Sequence, residues 1–318
     1  MTEFIELIHY LTIAIVAGAP SIAVGIGEGI VGLTAIDAIN IQPQAKDDIQ
    51  KVTVLGMALV ETAAILGVSI AFILLIGTQQ ADKNIYTAIS ELGIAAAVGI
   101  SGFAIGFVSA MPAKAACLAL ARQPFFGNKL LRFMLISQSM IQTPVIFSFI
   151  IAMFIKNLGV GTTPLAESLK LMASGIAIGL GSIGPAMGLG EFGKTACESI
   201  GINRNAYGKI FTFTLISAAI IETPILFAFL VSMLIIAATT TTVLKSIALL
   251  SAAFCIGIGT FGPGISAGKT ASSACKQIAH NPDQYSSMSK TSIFAQSITS
   301  TAAIYALLVS ILLILFVK

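Results

Sequence analysis

Charge is what this chain has least of. Of its 318 residues only 10% are Asp, Glu, Lys or Arg, where a soluble domain carries about a quarter. With 56% hydrophobic residues, the folded chain could not clothe itself in polar surface, and the bilayer is the solvent that such a composition fits. A net charge of +3 supplies no basic face for nucleic acid. Histidine occurs only at His9 and His280, and cysteine only at Cys117, Cys197, Cys255 and Cys275, with no Cys-x-x-Cys pair. A zinc site needs four convergent ligands, and this stock offers none of the usual spacings. Cys117, Cys197 and Cys275 instead recur at roughly 80-residue intervals, as a small packing position in a repeat would. No charged segment, short apolar core and small-residue cleavage site opens the chain, so the first apolar run is expected to stay in the membrane as a helix.

The chain is rich in self-similarity. Shifts of 81, 80 and 78 residues align it with itself without gaps. VSAMPAKAACLALARQP (108–124) falls under GLGEFGKTACESIGINR (188–204), and that under SAGKTASSACKQIAHNP (266–282). Each copy holds two long apolar runs around a polar loop: NIQPQAKDD, ARQPFFGNK, GINRNAYGK and AHNPDQYSS. Runs of this length exceed the roughly 30 Å of a bilayer core at about 1.5 Å per residue. The expected fold is an all-α membrane protein of eight transmembrane helices in four tandem hairpins. The hairpins occupy 1–80, 81–160, 161–240 and 241–318. Twelve of the 17 Lys and Arg flank the intra-hairpin loops; Lys83, Lys156, Lys170, Lys245 and Lys318 lie on the opposite side. This asymmetry places the loops in the cytoplasm and both termini across the membrane.

One stretch, GLGEFGKT at 188–195, satisfies the phosphate-loop pattern G-x-x-x-x-G-K-[ST]. It lies inside an expected membrane helix, with no strand before it, so its N–H groups are committed to the helix. A phosphate cradle needs those groups free. The aligned copies, VSAMPAKA and SAGKTASS, break the pattern, and no nucleotide site is expected. GLGSIG (179–184) and GIGTFG (257–262) mimic a dinucleotide fingerprint in the same way. Their glycines thin the first helices, allowing the close approach that membrane helices use when lipid provides no hydrophobic drive. Thin helices at equivalent places point to an inner wall of small radius.

Glu61 and Glu222 fall mid-way along the second helices of hairpins 1 and 3. A charged side chain at that depth costs roughly 3 kcal/mol on insertion scales, so an intramembrane acid is a proton or cation carrier by default. The aligned positions in hairpins 2 and 4 are Gln142 and Ser300, which exchange no proton. A hydroxyl follows in every copy: Thr62, Thr143, Thr223 and Thr301. Pro144 and Pro224 remove the helical partners of the Met140 and Ile220 carbonyls, offering hard oxygen ligands near the same depth. Counting from Pro43, Glu28 reaches about the depth of Glu61 on the facing helix, where two carboxyls would share a proton or clasp a cation. The counterparts of Glu28 are Ser109, Leu189 and Ala267, so Glu222 lacks such a partner.

The glycine-rich first helix, the polar loop (ARQP at 121–124 above all) and the mid-membrane glutamate together resemble the c-ring proteolipids of rotary ATPases, of F type or V/A type. The resemblance covers all four hairpins. It implies a rotor ring built from copies of the chain, turning past a stator membrane protein with an essential arginine, with the loops gripping a central stalk. The chain itself would be no enzyme and hold no cofactor, ATP being handled by partner subunits. In sodium-binding members the ligands are the glutamate, a polar first-helix residue, a hydroxyl after the glutamate and a carbonyl two before it. Carried over, these are Glu61 with Glu28, Glu222 unpartnered, the four threonines, and the carbonyls of Leu59, Met140, Ile220 and Ile298. Glu61 with Glu28, beside a neighbour offering Thr143 and Met140, is the place for Na+. Glu222 is too poor in oxygens, and since one ion must suit both sites, H+ is the expected cargo. The departures from the family pattern are the missing acids of hairpins 2 and 4 and the fusion of four hairpins. Carrying fewer ions per turn would bias the machine toward pumping. The rival reading is a structural or channel-forming bundle whose glutamates only bond neighbouring helices.

Overall fold

The computed structural model describes residues 2–77, 84–159, 164–240 and 242–317. Among these, eight helical segments are long and apolar enough to cross a membrane: α1 (Glu3–Ile41), α2 (Pro43–Gly77), α3 (Ile85–Arg122), α4 (Pro124–Leu158), α5 (Leu165–Ile202), α6 (Arg204–Ala237), α7 (Val243–His280) and α8 (Pro282–Phe316). They pair as four hairpins: α1–α2, α3–α4, α5–α6 and α7–α8. The expected boundaries at 80/81 and 160/161, residue 241 of the one at 240/241, and the basic residues Lys83 and Lys318 fall outside the described residues.

The intra-hairpin loops are far shorter than their polar composition implies. One non-helical residue (Gln42, Gln123, Asn203 or Asn281) and a single 3₁₀ turn (Pro43–Ala45, Pro124–Phe126, Arg204–Ala206 or Pro282–Gln284) make each reversal. Proline opens three of the four turns, where its fixed φ suits a helix start and its missing N–H costs nothing. The polar residues on either side ride on helix, which water at the membrane surface permits. Helices of 38 residues, such as α3, α5 and α7, run about 57 Å and so extend well beyond the hydrocarbon core.

The hairpins follow one another in chain order, first helix against first helix and second against second. Glycine sets the spacing of the first helices. A methyl added at Gly93 on α3 would stand 2.8 Å from the Leu171 carbonyl of α5. Gly188 of α5 lies directly on Gly264 and Gly268 of α7. A side chain at any of these points would push the helices apart, and with them the van der Waals contact that holds membrane helices together. The first helices curve around an apolar hollow of about 850 Å³, lined from all four hairpins by residues such as Ile15, Phe103, Met187 and Ile265. They are the inner, concave layer, and the second helices are the outer one.

Two polar ties close the end opposite the loops. Buried His9 of α1 donates through Nδ1 to Glu91 of α3 at 2.8 Å. On α5, buried Lys170 pairs with Glu167 at 2.5 Å and donates to the Ala238 carbonyl at 3.1 Å. Thr240 donates to the same Glu167 at 2.6 Å. The Lys170 ammonium is thus partnered, as a charge removed from water must be.

Candidate ion-carrying site

Glu28 and Glu61 line one cleft between α1 and α2, near enough to interact electrostatically. Two carboxyls can hydrogen-bond to each other only when one of them holds a proton, since a carboxylate only accepts. Glu28 Oε1 is buried and receives no donor. The pair opens into a cleft lined by Ser21, Val24, Gly25, Ala64, Ile65 and Val68, all from hairpin 1. Glu61 lies within the continuous helical segment: its N–H donates to the Met57 carbonyl and its own carbonyl accepts from Ile65, both at 3.0 Å.

No residue of hairpin 2 lines this cleft. Thr143 and Met140, expected beside Glu61, are thus not among the residues lining its cleft. The reason is rotational: sequence fixes the depth of a residue along a helix, but which flank it faces depends on how the hairpins are arranged around it.

Gln142, at the acid position of hairpin 2, is buried and shows what that position reaches. Its Nε2 donates to the Leu59 carbonyl of hairpin 1 and to Ser109 Oγ of its own first helix, both at 2.9 Å. Leu59, one of the carbonyls carried over as a cation ligand, is thereby occupied by an amide. Ser300, in hairpin 4, turns back to its own Gln296 carbonyl at 3.0 Å. Two of the hydroxyls behave likewise: Thr223 donates to Ala219 at 3.1 Å and Thr301 to the Ile298 carbonyl at 2.7 Å. Thr62 and Thr143 are half-buried. Pro144 and Pro224 sit inside the helices Gly127–Leu158 and Tyr207–Ala237, placing the Met140 and Ile220 carbonyls one turn before them without breaking either helix. Glu222 is half-buried, and Leu189, its first-helix counterpart, is buried and apolar.

One turn away lies a second polar layer that the search for membrane acids misses. Gln138 donates to the Gly56 and Ser109 carbonyls at 3.0 and 2.9 Å. Gln296 donates to Ser217 Oγ and Ser292 Oγ at 3.2 and 2.9 Å. The two glutamines recur at twice the hairpin period, as Glu61 and Glu222 do, and that alternation is the signal by which sequence alone could find them. The phosphate-loop lookalike lies within the uninterrupted helix Leu165–Ile202, where Lys194 pairs with Glu191 at 3.5 Å.

Comparison with known proteins agrees with this architecture. The chain matches the family of the ATP synthase C subunit four times, over residues 11–74, 92–155, 172–235 and 250–313. It is 42% identical over 71 residues to an ATP synthase c subunit from Dehalococcoides mccartyi, a match that takes in 22% of this chain and 93% of that one. It is 26% identical over 233 residues to the A-type ATP synthase K subunit of Methanocaldococcus jannaschii, taking in 72% of this chain and 97% of that one. An ATP synthase c subunit from Chloroflexus aurantiacus is 35% identical over 69 residues, which is 22% of this chain and 91% of the relative. Since the four matched segments span well over half of its length and coincide with its four hairpins, the chain belongs to the ATP synthase C-subunit family, with four copies of the family unit joined in tandem.

Proposed function

We propose that the chain is a rotor component of a rotary ATPase and carries H+ across the membrane on Glu61 and Glu222. The observation that carries this reading is the Glu28–Glu61 pair, two carboxyls sharing one cleft on a membrane-length hairpin with one buried oxygen unsatisfied. Such a pair holds one positive charge between two acids and gives it up when an opposing cation, such as a stator arginine, replaces it. The chain performs no ATP chemistry of its own. Copies of it form the ring, the intra-hairpin loops face the central stalk in the cytoplasm, and lipid bathes the outer layer.

The preference for H+ over Na+ rests on Glu222. Leu189, the first-helix counterpart of Glu28, is buried and apolar, so the first helix of hairpin 3 brings Glu222 no oxygen there. A dehydrated cation asks for several oxygens, whereas a proton asks for the carboxyl and one acceptor. Because only two of the four hairpins carry an acid, each ion takes a larger share of the energy of an ATP, which favours pumping against a steep gradient.

The test is Glu61→Gln and Glu222→Gln in separate strains, with ATP-driven ion transport measured in membrane vesicles. Each is expected to abolish most transport. Unimpaired pumping in both would leave a structural or channel-forming bundle as the better reading. Carbodiimide labelling at fixed pH, with and without sodium, decides the ion: sodium protection of both glutamates overturns the proton assignment.

A further inference from the structure

We infer that the two carriers are completed differently: Glu222 by hairpin 2 of its own chain, Glu61 only by hairpin 4 of a second copy of the chain. This rests on the rotor reading above and assigns its two sites to different interfaces.

Direction comes first. Gln142, standing where the acids stand, reaches back to Leu59 of the preceding hairpin, and Gln138 reaches back to Gly56. Gln296 reaches back from hairpin 4 to Ser217, which holds the Gly56 position in hairpin 3. This face of each second helix thus looks toward the hairpin before it. Glu222 looks toward hairpin 2, where Met140 is the counterpart of Leu59. Glu61 looks toward a hairpin that its own chain lacks.

The flanks show what belongs there. On hairpin 2, a Cβ at Gly99, Gly102 or Gly106 would meet Ile15, Pro20 or Val24 of hairpin 1 at 2.8, 2.6 and 3.0 Å. Gly18 and Gly25, the counterparts of Gly99 and Gly106 on hairpin 1, have nothing within 4 Å. They are packing glycines with nothing packed on them. At the other end, Lys269, Ser273, Gln277, Ser287 and Thr291 line an open groove on hairpin 4. The matching positions of hairpin 3 include Thr195, Ser199 and Phe213, which are buried. Gly262 is open, while its counterpart Gly184 lies against Phe261. Asn281 is exposed, while its counterpart Asn203 donates to the Ala279 carbonyl of the next hairpin at 2.9 Å.

The internal interfaces also give the register. Gly106 sits on Ala23 and Val24, and Gly264 sits on Gly184 and Pro185, the same two positions one hairpin pair later. One more step sets Gly25 of one copy on Gly262 and Pro263 of the next. The contact is head-to-tail, so it propagates from copy to copy, as the ring of the rotor reading requires. In this register the carbonyl facing Glu61 is that of Ile298, which already accepts the Thr301 hydroxyl at 2.7 Å and has no proline after it to free it. Met140, facing Glu222, has lost its helical donor to Pro144. Hence Glu222 manages with Leu189 beside it, whereas Glu61 needs Glu28.

The test uses the assembled complex in native membranes. The pair Gly25→Cys with Gly262→Cys is expected to give oxidative cross-links between chains that build multimers, while neither single variant does. Carbodiimide adducts are then quantified by mass spectrometry on intact rings and on full chains released from rings by detergent. Release is expected to lower labelling of Glu61 at least tenfold and to leave Glu222 within twofold. A transport-competent complex whose double variant yields no multimers overturns the flank pairing and leaves the rotor reading standing. Equal changes at the two glutamates overturn their unequal completion. Normal pumping by both Gln variants of Glu61 and Glu222 is instead the failure of the rotor reading itself, whatever the cross-links show.

Discussion

Replacing Gln142 by Glu adds a carboxyl to an even hairpin at the depth where the odd ones already carry theirs. Gln142 is 4% exposed, and its amide nitrogen bridges Leu59 and Ser109. A neutral carboxyl has one donor and can keep one of those two bonds. Hydrogen bonds between membrane helices average about 0.6 kcal/mol and reach about 1.7, so losing one costs an amount that a ring of packed helices survives. Ser109, buried beside it, supplies the polar first-helix partner that Glu222 lacks. The chain would then carry three ions per pass instead of two, and each ion's share of the energy of an ATP would fall by a third. At about 2.3 kcal/mol per charge per 100 mV, the membrane potential at which ATP-driven pumping stalls should drop to about two-thirds of the parent value. The assay is the stall potential of the complex reconstituted into vesicles, read with a voltage-sensitive dye. If Gln142→Glu takes up carbodiimide and still pumps, yet stalls at the parent potential, then counting glutamates does not set the gearing and the reasoning is wrong.

Other perturbations separate the remaining claims. Glu28→Leu should slow transport severalfold and change the pH dependence of carbodiimide labelling at Glu61 while leaving that at Glu222 unaltered, whereas Glu28→Gln should preserve more of both; labelling read by mass spectrometry checks this. Gly188→Val drives a branched side chain into the Gly264 and Gly268 backbone; overpacking of this kind costs about 1–3 kcal/mol or more, and the ring should dissociate at lower temperature in detergent. Lys194→Ala should leave ATP-driven transport within experimental error of the parent and confer no change in nucleotide binding on the isolated chain.

The hairpins and their number are legible in the sequence because two independent signals coincide. The repeat aligns without gaps, and every copy contains apolar runs too long for anything but a membrane helix. Loop length is misread from composition because polarity reports contact with water, not backbone conformation: NIQPQAKDD reads as nine loop residues, yet only Gln42 lies outside helical geometry. Depth along a helix is legible by counting from the turn, which is how Glu28 and Glu61 come to be considered together. Rotation is not. Each residue turns the helix by about 100°, and deciding whether Glu61 faces hairpin 2 or the free flank requires the order of hairpins around the arc. Lys170 holds the position of His9 two copies on, and each pairs with a glutamate, but the partners Glu91 and Glu167 stand at unrelated positions of the repeat, so the repeat announces the cation and not its tie.

The alternation of the second helices follows from what each group can do in a low-dielectric interior. A glutamine amide always has donors to give, so Gln138, Gln142 and Gln296 can fasten one hairpin to the one before it permanently. A carboxyl in the same place would donate only while protonated, and each loss of its proton would break the fastening as well as create a charge. A position that must release its ion cannot also be the permanent bond between hairpins. Hairpin 2 has an amide at the acid position and hairpin 4 has one a turn away, while the odd hairpins keep the acid, so under the proposed function fastening and carrying would fall to different neighbours. Joining the hairpins in one chain fixes that order, because separate hairpins of the two kinds could assemble in any sequence around a ring.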